Sequence, residues 1–424
     1  MAKLKGNLVI GQSGGPTAVI NSSLAGAVQE ALKAPEITGI YGMMHGIVGV
    51  LNEDFVDLGK QDPAVIEGLR RTPSAATASC RYKVAPEEYD KVLGVLEKYN
   101  IRYFFYIGGN DSQDTAKNIS ALAKDKGYEL RAIGIPKTVD NDLPVTDHCP
   151  GYGSVGRWLA IGVRDAGLDT EAIGIVDTVK VIETMGRNTG WITATTALAK
   201  SPPLKRPNTS SPPLERGVRG DFPVQDEAPH LIYLPERPFD EEKFLADVDA
   251  VYSRLGYCVI AVCEGLVDEN GEYITASSRA IDTDKFGHRQ LGGVAQYLCD
   301  VVANGLKIKA RWDKPGTIQR VSMVCASSTD LEEAYMVGQM AVRHAVEGKT
   351  DYMVTLVREP GAEYKCTTGL VELEKVALGT KRVPDEYINE AGNGVTDAFI
   401  EYARPLIGGQ LPEYARLKKI PVKI

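Results

Sequence analysis

The chain lacks several features that would place it quickly. Its seven cysteines (Cys80, Cys149, Cys258, Cys263, Cys299, Cys325, Cys366) are odd in number and never form C-x-x-C. A disulfide scaffold and a zinc ribbon are excluded on that spacing, and free, mostly buried thiols in a reducing cytoplasm fit best. Its five histidines (His45, His148, His230, His288, His344) show no H-E-x-x-H and no metal spacing, so they are expected to be structural or exposed. There is no basic surplus, since the net charge is -8. That argues against non-specific binding to nucleic acid or anionic lipid, but not against a local basic pocket for a small anion. No run of about 18 apolar residues appears, so no membrane span is expected. The opening "MAKLKGNLVIGQSGG" has no long apolar core before its glycines and does not read as a signal peptide.

What is present is ordinary soluble-protein material at 424 residues, 43% hydrophobic and 25% charged. A chain of that length buries a large core and divides into two or three domains. Short apolar runs alternate with amphipathic segments. "NLVIG" (Asn7 to Gly11) reads as a strand, followed by a helix from about Pro16 to Ala34. "RYFFYIGG" (Arg102 to Gly109) is a second strand, and the helix after it should end at Gly127. "RAIGIP" (Arg131 to Pro136) is a third, and "EAIGIVDT" and "YCVIAVCEG" continue the pattern. This alternation predicts an α/β fold with parallel sheets covered on both faces, with ligands beyond the carboxyl ends of the strands. The Gly, Asp and Lys clusters fall just after the apolar runs. One stretch breaks the pattern: Ser201 to His230, rich in Pro, Ser and Arg, reads as an inserted surface loop.

Single motifs are ambiguous. "GQSGG" (Gly11 to Gly15) fits the G-x-S-x-G elbow of hydrolases, with Ser13 as nucleophile. It follows the first strand rather than a later one, which favours a glycine turn that binds an anion at a helix N-terminus. "GYGSVG" (Gly151 to Gly156) matches G-x-G-x-x-G without a preceding strand, so a glycine-rich helix entry is the better reading. "EGKT" (Glu347 to Thr350) is not a P-loop, because Arg343 stands where its first glycine belongs. "IPKTVDNDLP" is more demanding: Lys137, Asp140 and Asp142 crowd together just beyond a strand. A carboxylate there can take a proton from a hydroxyl, and a lysine can neutralise charge on a transferring phosphoryl group. Arg187 in "VIETMGRNTGW", Glu264 in "VCEG" and Arg320 in "PGTIQR" are weak signals singly.

Taken in order, "GQSGGPTAVINSSLAG", "SCRYKV", "IGGNDSQDTA", "IPKTVDNDL", "ETMGRNTGW", "CEG" and "GTIQR" resemble the phosphofructokinase family. The resemblance covers nearly all of the chain apart from the Ser201–His230 stretch and the last few dozen residues. It implies two similar three-layer α/β lobes with mostly parallel sheets and an active site in the cleft between them. Residues 1–147 with about 325–375 would form the donor-phosphate lobe, and 148–324 with about 376–424 the sugar-phosphate lobe. It implies phosphoryl transfer to the 1-hydroxyl of fructose 6-phosphate, a homodimer or homotetramer, and Mg2+. By motif, Gly14, Gly15, Arg81, Gly109 and Ser112 would meet the donor phosphates. Asp140 would be the general base, and Thr138, Val139 and Asp140 would meet the sugar's reacting end. Met185, Gly186 and Arg187 would line the sugar, Glu264 its hydroxyls, and Thr317 and Arg320 its 6-phosphate.

Two departures from the ATP-using members matter. They read G-G-D-G-S and P-G-T-I-D-N-D, where this chain has Gly108-Gly109-Asn110-Asp111-Ser112 and Pro136-Lys137-Thr138-Val139-Asp140-Asn141-Asp142. Asp111 and Lys137 in place of glycines resemble the pyrophosphate-dependent branch. A carboxylate at Asp111 would fill and repel the space of a nucleotide's α-phosphate, while Lys137 and Asp111 would join Asp140 as catalytic residues. Asn110 stands where many relatives have a magnesium-binding Asp, so Asn110 and Asp111 are the expected metal residues. The basic residue that relatives carry after Q-R-G-G has no match in "QRVSMVCASSTDLEEAY", and Lys180 is the candidate for replacement charge. An ATP-dependent enzyme, a non-catalytic sugar-phosphate sensor and a serine hydrolase are the alternatives.

Overall fold

The computed structural model describes residues 4–200, 227–275, 293–377, 379–417 and 422. Most of the expected insertion, residues 201–226, lies outside the described residues. Among the described residues, eleven strands form two sheets. The larger runs β11-β10-β5-β4-β1-β2-β3: β1 is Gly6–Gln12, β2 Ile37–Met43, β3 Phe55–Asp57, β4 Ile101–Gly108, β5 Arg131–Pro136, β10 Tyr352–Arg358 and β11 Cys366–Glu372. Its inner strands are parallel, while β3 and β11 close the two edges antiparallel. The smaller sheet runs β7-β8-β6-β9 and is wholly parallel: β6 is Val179–Thr184, β7 Leu231–Tyr233, β8 Cys258–Cys263 and β9 Ala310–Asp313.

The apolar runs of β1 and β4 are continuous because both faces are covered. Successive side chains point to opposite faces. Val9, Phe104 and Tyr106 enter one core, with Ala116 and Ile119 of the helix Asn110–Asp125. Leu8, Ile10, Tyr103, Phe105 and Ile107 enter the other, with Leu24 and Val28 of the helix Ile20–Ala31 and Val337 and Ala341 of the helix Ser328–Val346. Each buried Val, Leu, Ile or Phe among them contributes roughly 1.5–3 kcal/mol. The sheet order places β1 and β4 side by side while the chain leaves them in opposite directions, which makes their carboxyl ends a switch point.

Register sets the site. Gln12 pairs with Ile107 and Gly108 with Pro136, so the turns after β1, β4 and β5 emerge together. Thr184 pairs with Cys263, so Met185–Arg187 and Glu264 also emerge together.

Two expectations need correction. The helix expected over Pro16–Ala34 spans only Ile20–Ala31. Residues 13–19 stay in a turn, where the Thr17 hydroxyl accepts from the amides of Val19 (3.3 Å) and Ile20 (3.0 Å). "EAIGIVDT" is not a strand. The helix Tyr152–Ala172 runs into it, Ile175 is 97% exposed, and the strand begins only at Val179. Ile173, Ile175 and Val176 are all exposed, so their β-propensity goes unused. The glycine-rich stretch at Gly151 is a helix entry as expected, and Gly127, at φ +71°, follows the end of its helix. No described helix is long and apolar enough to cross a membrane.

Candidate active site

The turn after β1 is held from behind. Gly14 adopts φ +76°, a conformation that favours glycine. Its amide donates to the Cys80 carbonyl (2.9 Å), and its carbonyl accepts from the Ser79 hydroxyl (2.6 Å). The Gln12 side chain adds bonds to the amide and hydroxyl of Thr77 (2.9 and 3.0 Å). These ties draw residues 77–80 against the turn and deliver Arg81 beside it. The Gly14 amide is therefore already used inside the protein. Ser13 is buried and hydrogen-bonds the Tyr106 hydroxyl rather than an imidazole, which leaves the hydrolase alternative without its base.

The second turn opens the helix Asn110–Asp125, with Gly109 at its N-cap. Ser112 is buried, and Asp111 is exposed in the first turn, where the helix dipole favours a carboxylate. The Asn110 side-chain amide donates to the carbonyl of Gly379.

The third turn carries the charges. The Lys137 amide extends the β4–β5 pairing by donating to the Gly108 carbonyl (3.2 Å). Its side chain is only 4% exposed, and its ammonium donates to the Gly15 carbonyl (3.1 Å). Burial, then the nearby cations Arg320 and Arg81, pull the Lys137 ammonium down to about 7. Arg320 lies against the first turn: a methyl group on Gly15 would sit 2.6 Å from its guanidinium. Burial, with help from Asp142 and Glu264, pushes the Asp140 carboxyl up to about 7, against the opposing pull of Arg187 and Lys137. The Asp140 amide donates to the Thr138 hydroxyl (3.1 Å), and its carbonyl accepts from Thr189 (3.2 Å). Lys137 and Asp140 thus share one buried cluster, with the ammonium pulled down and the carboxyl pushed up from their ordinary values.

The smaller sheet supplies the opposite wall. A β-carbon at Gly265 would lie 1.8 Å from the Arg187 carbonyl, so only glycine lets the "CEG" turn pack against "MGR". That approach sets Glu264 close to Arg187. The Glu264 carboxyl is raised by burial first, held down by Lys314, and raised further by Glu183. The Met185 amide donates to Gln319 (3.2 Å). The Nε groups of Arg187 and Arg320 are buried without a hydrogen-bond acceptor among the described residues. Such orphaned donors are what an anionic ligand satisfies.

The structure therefore gathers Gly14, Gly15, Arg81, Lys137, Asp140 and Arg320 with Arg187 and Glu264 into one cluster. Three expected residues stand differently. Val139 turns its side chain into the core, leaving only its backbone to the cleft. The Thr317 side chain is exposed, and its carbonyl accepts from the Arg320 amide (3.2 Å). Lys180 is paired with Asp313 at 2.9 Å, so it does not supply replacement charge near Arg320. Lys314, an exposed residue beside the smaller-sheet wall, lies 2.7 Å from buried Glu183. Lys314 and Gln319 were not singled out in the sequence. Both sit inside or beside "PGTIQR", and Glu183 inside "VIETMGR", so the motifs pointed to them without ranking them.

Away from the cleft, His148, Glu333 and Cys366 bring ligand-capable atoms within 4.8 Å of one another. Both ring nitrogens of His148 are engaged, with Asp147 at 2.7 Å and Glu333 at 2.6 Å. A mixed N, S and O set does not suit magnesium, which takes oxygen ligands. Asp111 and Asn110 offer such oxygens.

Comparison with known proteins places the whole chain among relatives. The chain is 40% identical over 432 residues to the pyrophosphate–fructose 6-phosphate 1-phosphotransferase of Xanthomonas campestris pv. campestris (strain B100), covering 98% of this chain and 97% of that one. It superposes with a TM-score of 0.81 on the pyrophosphate-dependent phosphofructokinase of Nitrosospira multiformis, at 39% identity and 99% and 98% coverage. The enzyme of that description from Marinobacter aquaeolei gives the same score at 38% identity and the same coverage. With the phosphofructokinase family model matched over residues 7–345, the chain belongs to the phosphofructokinase family.

Proposed function

We infer that this chain transfers a phosphoryl group from pyrophosphate to the 1-hydroxyl of fructose 6-phosphate, giving fructose 1,6-bisphosphate and orthophosphate. The observation that carries this reading is Lys137. It is buried, bonded to the Gly15 carbonyl, and three residues before Asp140 in the cleft. The close relatives named above carry the same activity in their names. Exchange of a phosphoanhydride for a phosphate ester and orthophosphate runs in both directions, which suits glycolysis and gluconeogenesis alike.

In this reading Asp140 accepts the proton of the sugar's 1-hydroxyl as that oxygen attacks phosphorus in line. Lys137 and Arg81 neutralise the spreading charge, beside the Gly109 turn and Ser112. Arg187, Glu264 and Arg320 hold the sugar phosphate, with Thr138, Met185 and Gly186 shaping its reacting end. Asp111, exposed beyond the second turn, excludes the α-phosphate of a nucleotide. Mg2+ would be held by Asp111 and the Asn110 side-chain oxygen and would shield phosphate charge when bound. Residues 1–147 with about 325–375 form the donor lobe, and 148–324 with about 376–424 the sugar lobe. Seven free cysteines support a cytoplasmic site. Exposed Trp312, Ile318 and Val324 around Arg320 support a homodimer or homotetramer.

Turnover with magnesium pyrophosphate, compared with magnesium ATP, tests the reading. Activity with pyrophosphate and little with ATP is expected, and appreciable activity with ATP alone would overturn it.

A further inference from the structure

The segment from Gly379 to Val383 touches each part of the site in turn. The Gly379 carbonyl accepts from the Asn110 side chain, beside the donor turn. The Lys381 amide donates to the Asp142 carbonyl (2.8 Å). The Lys381 ammonium has three protons and three acceptors: the carbonyls of Asp147 (2.8 Å) and Thr146 (3.0 Å) and the Asn141 side-chain oxygen (3.4 Å). All three acceptors belong to the loop that carries Asp140. The Lys381 carbonyl accepts from the Trp191 indole (2.9 Å), four residues beyond Arg187, and the ammonium lies 5.3 Å from that ring's centroid. Two residues on, the Val383 amide donates to Glu236 (3.1 Å), which also accepts from the Gly190 amide (3.0 Å).

These contacts are chemically unusual for a lysine. A flexible cation is normally left in solvent. Here it is desolvated, which pulls its ammonium below the ordinary value, while Cys149, Asp147 and Asp142 act to keep it charged. Such burial is costly unless every proton finds an acceptor, and here every proton does. The loop it serves turns sharply: Asn141 sits at φ +53° between the two aspartates, a left-handed conformation that asparagine tolerates better than most residues. Asn141 also binds the Cys149 amide (3.0 Å) and the Tyr402 hydroxyl (3.1 Å). With the Lys381 ammonium, these bonds hold the turn through its side chain.

We propose that Lys381 is a positioning residue for the phosphoryl transfer. It pins the Asp140–Asp147 loop to the Trp191 segment and so sets the base against the sugar's reacting hydroxyl. Its action passes through the loop, and it touches neither substrate. The proposal rests on Asp140 being the base, as read above.

The test uses the full-length enzyme and its pyrophosphate-dependent turnover. Lys381→Met keeps the aliphatic stem and removes all three hydrogen bonds. A displacement of the base by about 1 Å lowers turnover by about 10²-fold, with KM for pyrophosphate and for fructose 6-phosphate little changed. Lys381→Gln, which keeps two donors, is expected to fall between this variant and the parent. A residue that only supports folding would instead lower the melting temperature and the active fraction, leaving kcat per folded molecule unchanged. That result in the Met variant overturns the proposal. If the Met variant does not fold, kcat of the Gln variant decides in the same way. Asp140→Asn, assayed alongside, separates the two claims. Unchanged turnover there removes the base assignment, whereas an inactive Asp140→Asn with a fully active Lys381→Met removes only the positioning role.

Discussion

The ammonium of Lys137 lies 3.1 Å from the carbonyl oxygen of Gly15, so the turn after β5 closes directly on the turn after β1. The two belong to different motifs more than a hundred residues apart, and their meeting brings both into one cluster. Arg320 completes it from a third direction.

Gly15→Ala should therefore harm function more than folding. The added methyl meets the far end of a flexible arginine, which can swing aside. Stability should change by less than about 1 kcal/mol, in the range of ordinary tolerated substitutions. Turnover should fall about tenfold or more as the guanidinium leaves its place, on the scale of one misplaced electrostatic group. Urea denaturation and steady-state kinetics on the same preparation check both halves.

The pH profile follows from two groups near 7. Asp140 works deprotonated, so kcat/KM should fall as pH drops below about 7. Lys137 works as a cation, so kcat/KM should also fall as pH rises above about 7. The result is a bell for the free enzyme. Bound pyrophosphate favours the protonated form of both groups and should move the kcat profile to higher pH. Lys137→Met should abolish the alkaline limb. It should also shift the acid limb upward, because Lys137 holds the Asp140 carboxyl down. Rate measurements across pH 5–9 or so, at saturating and at low substrate, test these signs.

Donor choice has a two-residue test. Asp111→Gly with Lys137→Gly should open the site to ATP and weaken pyrophosphate use. The gain in ATP affinity should be several kcal/mol at most, the scale of one repelled charge in a partly desolvated site. Calorimetric titration with magnesium ATP measures it, and no gain would rule out the steric and electrostatic account of Asp111.

A fourth expectation concerns stability alone. His148 is buried between Asp147 and Glu333, and the Tyr364 hydroxyl also binds Glu333. Its neighbours raise the imidazole against the downward pull of burial. Glu333→Ala breaks a buried charge pair and should cost about 3–5 kcal/mol. A raised folded-state value gives stability that is full below the unfolded value of about 6.5 and lost as pH rises through the folded one. The deficit of the variant should therefore shrink in alkaline urea titrations.

Much of this was legible beforehand because it is local. The strands β1, β4 and β5 are unbroken apolar runs, and the turns after them carry glycine and charge in short order. The fate of "EAIGIVDT" was not legible, because a run of Ile and Val becomes a strand only where a sheet receives it, and no local signal says so. Lys381 was invisible for a related reason. It sits in "ALGTKRVP", with no motif around it, and its meaning comes wholly from the loop and the indole that the fold carries to it. Lys180 misled in the opposite sense: its position near "ETMGR" in sequence hid its pairing with Asp313 on the neighbouring strand β9.

Arg81, Lys137 and Arg320 are like charges collected at one place, and each of the last two is held below its ordinary proton affinity partly by its cationic neighbours. Such a cluster opposes its own assembly. Asp140, Asp142 and Glu264 offset part of that repulsion, so the charges of this cleft are tied to one another and a change at any one of them is felt by the rest.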